Sequence, residues 1–375
     1  MRLTRLPERH ALEYVTPSGA AALAECPLRV AYNQDPALRR QVPSSPAARL
    51  GDICHAVLEA AGRGRLKYSP KRAEWKAAFD EAWAAALDRE LKRSRQNAAE
   101  AHWPAPERWP NYAVRKLAAR RLCAEVASAS SERADMASSG RAEGDVFEAS
   151  QDAFDGRLRG RADVIRRHPQ PEIEDYKTGS VFEEDSDEVK PQYRLQMLLY
   201  AVLEHESGGE WPAYATLVPL EGERASIVVD PSEALALAHD ALRRLERFNE
   251  AVQRGDPLDG FARASAQTCR FCGFAVVCPG FWTTATPDWA EQGVVAVCGE
   301  REEVRESQVG TFSVEVAVHS GTVPPGGYTL AQLDSARFES VRLAARGSQV
   351  AAVFLRGDAA DGAFRATQRT RMIAG

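Results

Sequence analysis

Two aspartates and a lysine have the spacing expected of a metal-dependent hydrolytic site. Asp163 lies late in one predicted strand, and Asp175 and Lys177 lie two residues apart in the next. Side chains two apart on a strand point to one face, so Asp175 and Lys177 emerge together and Asp163 can reach them across the hairpin. Two carboxylates and the backbone carbonyl of Tyr176 are ligands that suit Mg²⁺ or Mn²⁺.

His55 would add a nitrogen ligand from a helix that precedes the sheet. A metal held there would stabilise charge on a phosphate and lower the pKa of bound water, and Lys177 would orient or deprotonate that water. An isolated Asp-x-Lys on a strand usually forms a surface salt bridge, and an isolated histidine is no evidence for a metal site. The prediction therefore depends on the combination of His55, the segment from Gly160 to Asp163, and the segment from Asp175 to Lys177.

Gln196 and Tyr200 are four residues apart on the helix predicted to begin at Pro191. One helical turn apart, they can jointly contact a base or a phosphate near the metal. The same spacing fits an amphipathic helix with Tyr200 packed inward, and the sequence favours neither interpretation.

Arginines are concentrated around Asp163, although the net charge of −5 does not indicate nucleic-acid binding. Alternate arginines on a strand beside a metal carboxylate would face a phosphate backbone, and Arg161 is the candidate substrate contact. Basic groups at 92–95 and 115–121 are interpreted as exposed helix faces. The arginines around Asp163 are Arg157, Arg159, Arg161, Arg166 and Arg167.

A second constellation consists of cysteines. Cys269 and Cys272 form a C-x2-C knuckle, and Cys278 follows it. Such knuckles bind zinc or iron and need a fourth thiolate, for which Cys26 is the best candidate and Cys298 the rival. Cys298 would imply a local zinc knuckle. A cluster that joins Cys26 to Cys269 would connect distant parts of the chain, with a stabilisation on the order of 5 kcal/mol.

The overall composition is that of an ordinary globular protein. The strongest apolar run, at 197–203, is far short of the roughly 20 residues of a membrane span, and the first ten residues contain no apolar signal core. Seven cysteines in such a chain favour thiolate ligation or free thiols, and Cys54 and Cys123 are interpreted as buried thiols in helices. We therefore expect a cytoplasmic protein.

The pattern of elements predicts an α/β domain over residues 1–287 with an all-helical insertion at about 60–135. Helices are expected at 16–25, from 46 onward, at 70–95, 112–128, 191–206 and 231–253, and strands at 144–150, 156–167, 172–177, 213–219 and 224–229.

Residues 288–375 are predicted to form a second, small β-rich domain. Strands are expected at 293–298, 312–319, 341–345, 350–355 and 364–372, with a helix at 329–337, which suggests a barrel resembling the OB fold. Such a barrel could bind single-stranded nucleic acid by stacking bases on aromatic side chains. The favoured interpretation, however, places its aromatic side chains in the core. These aromatics are Phe312, Tyr328, Phe338, Phe354 and Phe364.

The ordered set of motifs resembles the iron–sulfur members of the RecB-like branch of the PD-(D/E)XK nucleases. Members include the AddB nuclease domain and CRISPR-associated RecB-like exonucleases. The resemblance covers about residues 13–285. It is carried by Cys26-Pro27-Leu28-Arg29, the segments from Leu50 to His55 and from Leu58 to Glu59, Gly160 to Asp163, Asp175 to Gly179, Gln196-x3-Tyr200 and Cys269-x2-Cys272-x5-Cys278.

The resemblance implies a PD-(D/E)XK core, with a central mixed sheet flanked by helices, and a DNA nuclease that uses Mg²⁺ or Mn²⁺. It implies His55, Asp163 and Asp175 as metal ligands and Lys177 as the catalytic lysine. It assigns Gln196 and Tyr200 to the motif after the core, and the four cysteines to a [4Fe–4S] cluster that staples the domain.

Members commonly cut single-stranded ends beside a helicase, in repair, recombination or defence against foreign DNA. The chain contains no Walker A motif, so a helicase partner would act in trans. The alternative is a non-catalytic DNA-binding or assembly subunit that uses the nuclease fold as a scaffold. RNA as the substrate is a third possibility.

Overall fold

The computed structural model describes residues 3–42, 44–97, 100, 103–138, 145–167, 170–307 and 310–375. The helices are α1 (Pro17–Glu25), α2 (Pro27–Gln34), α3 (Pro36–Gln41), α4 (Pro46–Gly62), α5 (Arg72–Arg95), α6 (Tyr112–Ser138), α7 (Pro191–Glu206), α8 (Pro231–Arg254), α9 (Ala266–Cys269), α10 (Pro279–Thr284) and α11 (Glu339–Leu343). The strands are β1 (Val146–Ala153), β2 (Leu158–Arg166), β3 (Glu172–Lys177), β4 (Tyr214–Pro219), β5 (Ala225–Val228), β6 (Ala296–Glu306), β7 (Thr311–Gly321), β8 (Gly326–Asp334), β9 (Gln349–Val353), β10 (Ala363–Arg365) and β11 (Arg371–Ala374).

Three of the helices that flank the first sheet begin where the sequence predicts because a capping side chain precedes a proline. Thr16 caps α1, Ser45 caps α4 and Asp230 caps α8, each accepting a hydrogen bond from a backbone amide of the first turn. Proline follows each cap, at the position where its missing N–H costs nothing. Gly255 ends α8 in the left-handed conformation.

The first sheet has the order β1-β2-β3-β4-β5. Only β3 and β4 are paired in parallel, and α7 makes the crossover between them. Gly144, where the first of these strands was predicted to begin, lies outside the described residues.

Helices cover both faces of this sheet. On one face α1, α7 and α8 pack over inward residues such as Ile173 and Leu217, and on the other α4, α5 and α6 pack over Val164 and Val218. The predicted α/β core, a mixed sheet between helical layers, is confirmed. In the predicted helical region the structure has α5 and α6, while residues 98–99 and 101–102 lie outside the described part.

The second sheet has the order β10-β8-β7-β6-β9-β11, with β10 parallel to β8. Two predictions are wrong here. Residues 329–337, predicted as a helix, lie mostly in β8, and residues 341–345, predicted as a strand, begin within α11. The predicted likeness to an OB fold stays a prediction.

A bulge explains the first error. The buried side chains Leu330 and Leu333 are three residues apart, as on a helix, but they face Val314 and Phe312, which are two apart. The extra residue of β8 lies between them, where Gln332 has a φ of 58°. A β-bulge therefore gives a strand the hydrophobic spacing of a helix.

The second sheet shares a core with the cysteine segments. Along β6 and β9 the side chains alternate, so that Ala296 and Val353 face a cluster containing Tyr32 and Phe281, and Val297 faces the opposite side. This cluster also contains Cys26, Cys269 and Cys278. The second sheet is thus packed onto the part of the chain that carries these cysteines.

Candidate active site

The candidate site lies where β2 and β3 separate. Their last registered pair is Val164 with Glu174, and the next residues along the two strands are Asp163 and Asp175. Asp163 Oδ2 accepts a hydrogen bond from the backbone N–H of Tyr176 at 2.7 Å. A side chain of β2 thus replaces the lost strand pairing and holds the Asp163 carboxylate near enough for its charge to act on Asp175.

Gly160 has a structural role in the motif that leads to Asp163. A Cβ at this position would lie 2.7 Å from Leu203 Cδ1 of α7 and 3.0 Å from the ring of Pro17. Glycine therefore allows α1 and α7 to pack directly against β2, upstream of the site.

His55 reaches the site from α4. Its Nδ1 lies 3.4 Å from Asp163 Oδ2, and its ring makes an edge contact with Tyr176. One turn earlier, a Cβ on Gly51 would be 3.3 Å from Thr178 Oγ1, so glycine lets α4 approach the end of β3. Burial alone would lower the pKa of His55, but the hydrogen bond and charge of Asp163 outweigh it and the pKa is raised.

Asp175, Lys177 and Gln196 form a closed polar group. Lys177 Nζ is in ionic contact with Asp175 Oδ2 and donates to Gln196 Oε1 at 3.0 Å. Gln196 Nε2 donates to Asp175 Oδ1 at 3.3 Å, whereas no well-directed hydrogen bond reaches Asp175 Oδ2. Burial, and then the charge of Asp163, raise the pKa of Asp175 despite the neighbouring lysine.

Helix α7 contributes a third residue, Tyr193, to the site besides the predicted Gln196 and Tyr200. Gln196 and Tyr200 are both buried, and Tyr200 packs in the core behind Gln196. Tyr193, which sequence reasoning missed, lies with its ring 4.9 Å from Lys177 Nζ. Positions 193, 196 and 200 follow one helix face, and that periodicity could have identified the tyrosine.

Glu148 is a second residue that the sequence did not identify. It lies on β1 opposite Asp163, in a gap of the registered pairing, with a φ of 52°. Burial, followed by the charge of Asp163, raises the pKa of Glu148 to about 7, and its Oε2 pairs with Arg161 Nε at 2.6 Å. This carboxylate joins the site only through non-local strand pairing, so no local motif marks it.

The arginines around Asp163 are largely engaged within the fold. Arg157, Arg161, Arg166 and Arg167 form salt bridges with carboxylates, and Arg159 stacks on Tyr14 and donates to a carbonyl. Two of them remain exposed: Arg159, for which the described residues provide no salt bridge, and Arg161, whose side chain is 62% exposed while it pairs with Glu148. The expectation that these arginines face a phosphate backbone is therefore limited to this pair.

The cysteines predicted as one ligand set lie around a single small cavity. Cys26, Cys269, Cys272 and Cys278 line it, together with Tyr32 and Phe281. Cys298 belongs to the same apolar cluster but lies on β6 opposite Ser320, outside that lining. Burial, with smaller contributions from the nearby Cys272 and Cys26, raises the pKa of Cys278 to about 11.

Cys54 and Cys123 are fully buried in α4 and α6, as predicted. Over the described residues, no three histidine, cysteine or acidic side chains converge as they would around a single ion. Among these same residues, no helix is long and apolar enough to cross a membrane.

Comparisons with known proteins agree with this geometry. The family model of the PD-(D/E)XK nuclease superfamily matches residues 14–279. No curated protein matches the chain. Among solved structures, a "putative exonuclease" from Eubacterium rectale is 14% identical, with a TM-score of 0.36 over 65% of this chain and 83% of that chain.

A second solved structure, that of SSO0001, is 17% identical, with a TM-score of 0.23 over 45% of this chain and 78% of that chain. Both structural similarities are too low to carry an assignment. The assignment to a family rests on the family match instead. That match extends from the segment before α1 to the last of the four predicted cluster cysteines.

Proposed function

Because this chain belongs to the PD-(D/E)XK nuclease superfamily, we propose that it is a metal-dependent DNA nuclease that hydrolyses phosphodiester bonds in single strands or at DNA ends. The observation that supports this most is the meeting of Asp163, Asp175 and Lys177 where β2 and β3 separate, with His55 of α4 against Asp163.

The donor set has the atom types that Mg²⁺ or Mn²⁺ prefers, but among the described residues its side chains do not converge on one point, so an ion would have to draw them together. The set consists of carboxylate oxygens from Asp163 and Asp175, an imidazole nitrogen from His55 and the backbone carbonyl of Tyr176. Asp175 Oδ2 is buried and its partner is the Lys177 ammonium, but no well-directed hydrogen bond satisfies it, so a lone pair of this oxygen is left for an ion. When bound, such an ion would stabilise negative charge on the phosphate and lower the pKa of a water molecule.

The contacts of Lys177 support its proposed role as the catalytic lysine. Its ammonium donates a hydrogen bond to Gln196 Oε1 at 3.0 Å and forms an ion pair with Asp175. The centre of the Tyr193 ring lies 4.9 Å from Lys177 Nζ. These contacts fix the ammonium beside the Asp175 carboxylate. In that position Lys177 can orient the attacking water or neutralise charge that develops on the phosphate.

We also propose that the four cysteines hold a [4Fe–4S] cluster, as in the iron–sulfur RecB-like branch, with zinc as the less favoured occupant. The lining of one cavity by Cys26 and by the Cys269, Cys272 and Cys278 segment supports this assignment. The role of the cluster would be structural, joining residues before α2 to residues after α8.

The proposed setting is the cytoplasm, in DNA repair, recombination or defence against foreign DNA, with a helicase partner acting in trans. The domain division at about residue 287 is proposed as well, with the second sheet as the smaller unit.

Purified Asp175→Ala and Lys177→Ala variants test the catalytic proposal. Each is expected to lower cleavage of a single-stranded DNA by a factor on the order of 10²–10⁴ in the presence of Mn²⁺. Asp88→Ala and Lys92→Ala are matched controls, because these residues form an exposed helical salt bridge at 2.8 Å. Cleavage that survives in both site variants would show that the assignment is wrong.

The scaffold alternative is favoured by one observation, the pairing of the arginines around Asp163 with carboxylates of the fold. A non-catalytic subunit would bind DNA equally well with and without Asp175 and would show no metal-dependent cleavage. Deleting residues 288–375 would not separate the two functions, because β6 and β9 share a core with the cysteine segments.

A further inference from the structure

The knuckle between Cys269 and Cys272 presents an aromatic ring to solvent. Phe271 is 64% exposed, whereas Phe274, three residues later, is buried and stacked on Tyr32. An isolated exposed apolar side chain needs no explanation. Phe271 is not isolated, however, because arginines from two distant segments lie against it.

Arg270 and Arg369 place their guanidinium groups over the Phe271 ring. The Arg369 Cζ lies 4.6 Å and the Arg270 Cζ 5.2 Å from the ring centroid. Arg369 also lies 5.0 Å from the ring of Phe354. The knuckle and the loop between β10 and β11 thus form one surface of stacked planar groups, which we call the knuckle patch (Arg270, Phe271 and Arg369).

The charge of the knuckle patch is not neutralised within the fold. Over the described ranges, neither Arg270 nor Arg369 forms a salt bridge, in contrast to four of the five arginines around Asp163. Burial, together with the charge of Arg270, lowers the pKa of Arg369. Two exposed cations that repel each other favour an anion between or beside them.

The loop that carries Arg369 is held in place. The guanidinium of Arg337 donates to the carbonyls of Thr367, Gln368 and Thr370 at 2.9, 3.0 and 2.6 Å. Thr370 Oγ1 donates to the Phe354 carbonyl at 2.8 Å. Arg369 is therefore presented on a fixed backbone, and a ligand would not have to order the loop first.

From these contacts we propose that the knuckle patch binds single-stranded DNA, with a base stacked on the exposed Phe271 ring or an arginine plane and the two guanidinium groups on the phosphates. Stacking platforms joined to unpaired cations are the features by which proteins bind single strands without sequence preference. The inference rests on the proposed nuclease function and adds to it a strand-binding site outside the catalytic residues.

This proposal also changes the role expected of the second sheet. Four of its five aromatics that could have stacked on bases, Phe312, Phe338, Phe354 and Phe364, are buried and form core, as the sequence favoured. The second sheet would instead contribute to strand binding through Arg369. Its packing against the cysteine segments would fix Arg369 over Phe271.

Fluorescence anisotropy with a labelled oligothymidine, measured in EDTA to prevent cleavage, tests the proposal. Phe271→Ala is expected to raise Kd on the order of tenfold, and Phe271→Trp is expected to retain binding. Arg369→Gln and Arg270→Gln should each lower the slope of log Kd against log salt by about 0.7. Tyr68→Ala is the control, because Tyr68 is an exposed aromatic that packs on Trp75.

Four outcomes separate the possibilities. Tight binding that is lost in Phe271→Ala and kept in Phe271→Trp supports the proposal. Equal binding by Phe271→Leu overturns the stacking role, and unchanged salt slopes in both arginine variants overturn the phosphate contacts. Should Phe271→Ala fail to fold, the comparison of Phe271→Trp with Phe271→Leu still tests the stacking. Arg369→Gln still tests the phosphate contact, since the Arg369 side chain is exposed.

Failure of the inference differs from failure of the proposed function. A wild-type protein that cleaves DNA while all patch variants bind and cleave as it does overturns only the knuckle patch. A wild-type protein that neither binds nor cleaves DNA with Mn²⁺ overturns the nuclease function and the patch with it. Variants that lose affinity for long strands but cleave short ones at the same kcat support the patch as a site separate from the catalytic residues.

Discussion

Replacing Cys26 by serine tests whether a cluster holds the two ends of the nuclease region together. Cys26 is the residue between α1 and α2, and it is buried against a cavity that Cys269, Cys272 and Cys278 also line. The change removes one thiolate and leaves the shape of the side chain nearly unchanged. Loss of the bound metal is therefore the main expected consequence.

The size of the effect follows from the separation of the cysteines along the chain. Cys269 lies 243 positions after Cys26. A cross-link that closes a loop of that length lowers the conformational entropy of the unfolded chain by an amount equivalent to about 5 kcal/mol at 25 °C. Because small proteins are stable by only about 5–15 kcal/mol, the variant is expected to unfold at a much lower denaturant concentration.

A second substitution measures the local cost of the change. Cys123 is fully buried in α6 and does not line the cavity. Its replacement by serine should cost only the burial of a hydroxyl, about 1–3 kcal/mol. Both variants are unfolded anaerobically in urea, with iron and zinc assays on the same samples. The difference between their free energies of unfolding is the stabilisation that the cluster provides.

Two results would refute the reasoning. If Cys26→Ser keeps its full iron content, Cys26 is not a ligand. If it loses iron but unfolds at the same denaturant concentration as Cys123→Ser, the cluster does not hold the fold together. Loss of one zinc in Cys298→Ser, with Cys26→Ser unaffected, would establish the local knuckle instead.

Three further substitutions concern the sheet and the candidate site. Asp175→Asn should raise the Tm of the metal-free protein at neutral pH, because burial and nearby charge raise the folded-state pKa of Asp175 and ionisation then costs folding free energy. The gain, roughly 1–3 kcal/mol at about 1.4 kcal/mol per pKa unit, should vanish as pH falls to the unfolded pKa of about 4, and thermal unfolding in EDTA at both pH values measures it. Gly160→Ala should lower stability by about 1–3 kcal/mol, since the new Cβ would meet Leu203 at 2.7 Å, whereas Gly179→Ala, with open space around its Cβ, should be nearly neutral in the same denaturation experiment. Gln196→Ala should lower kcat on the order of tenfold and leave KM unchanged, because the Gln196 side chain holds Lys177, the proposed catalytic lysine; a change in KM alone would show that Gln196 binds substrate instead.

The sequence predicted the elements around the site well where local signals were sufficient. The third strand was predicted at 172–177 and the crossover helix at 191–206, and both match β3 and α7. Proline at the first helical position and the alternation of apolar residues are local properties, and they were enough to place Asp175 and Lys177 on one face.

Features that depend on non-local pairing could not be predicted in this way. Glu148 enters the site because it lies opposite Asp163 across a gap in the β1–β2 register. Leu330 and Leu333 have the spacing of a helix, and only the bulge in β8 makes them strand residues. In both cases the deciding interaction joins residues far apart in the sequence, so local periodicity gave no signal or the wrong one.

The cysteine cavity and the candidate site are connected through α1, and this connection gives the proposed cluster a route to activity. Val15, just before α1, bridges Leu158 at the start of β2, and its backbone exchanges hydrogen bonds with Arg157 and Arg159. Cys26 follows α1 directly.

Helix α1, between Val15 and Cys26, packs against β2, the strand that carries Asp163. This close packing is possible because Gly160 has no side chain. Release of Cys26 frees one end of α1, which can then move away from β2 and α7. Loss of the cluster should therefore reduce cleavage through the position of Asp163 and Gln196, without removing any group that would contact the phosphate.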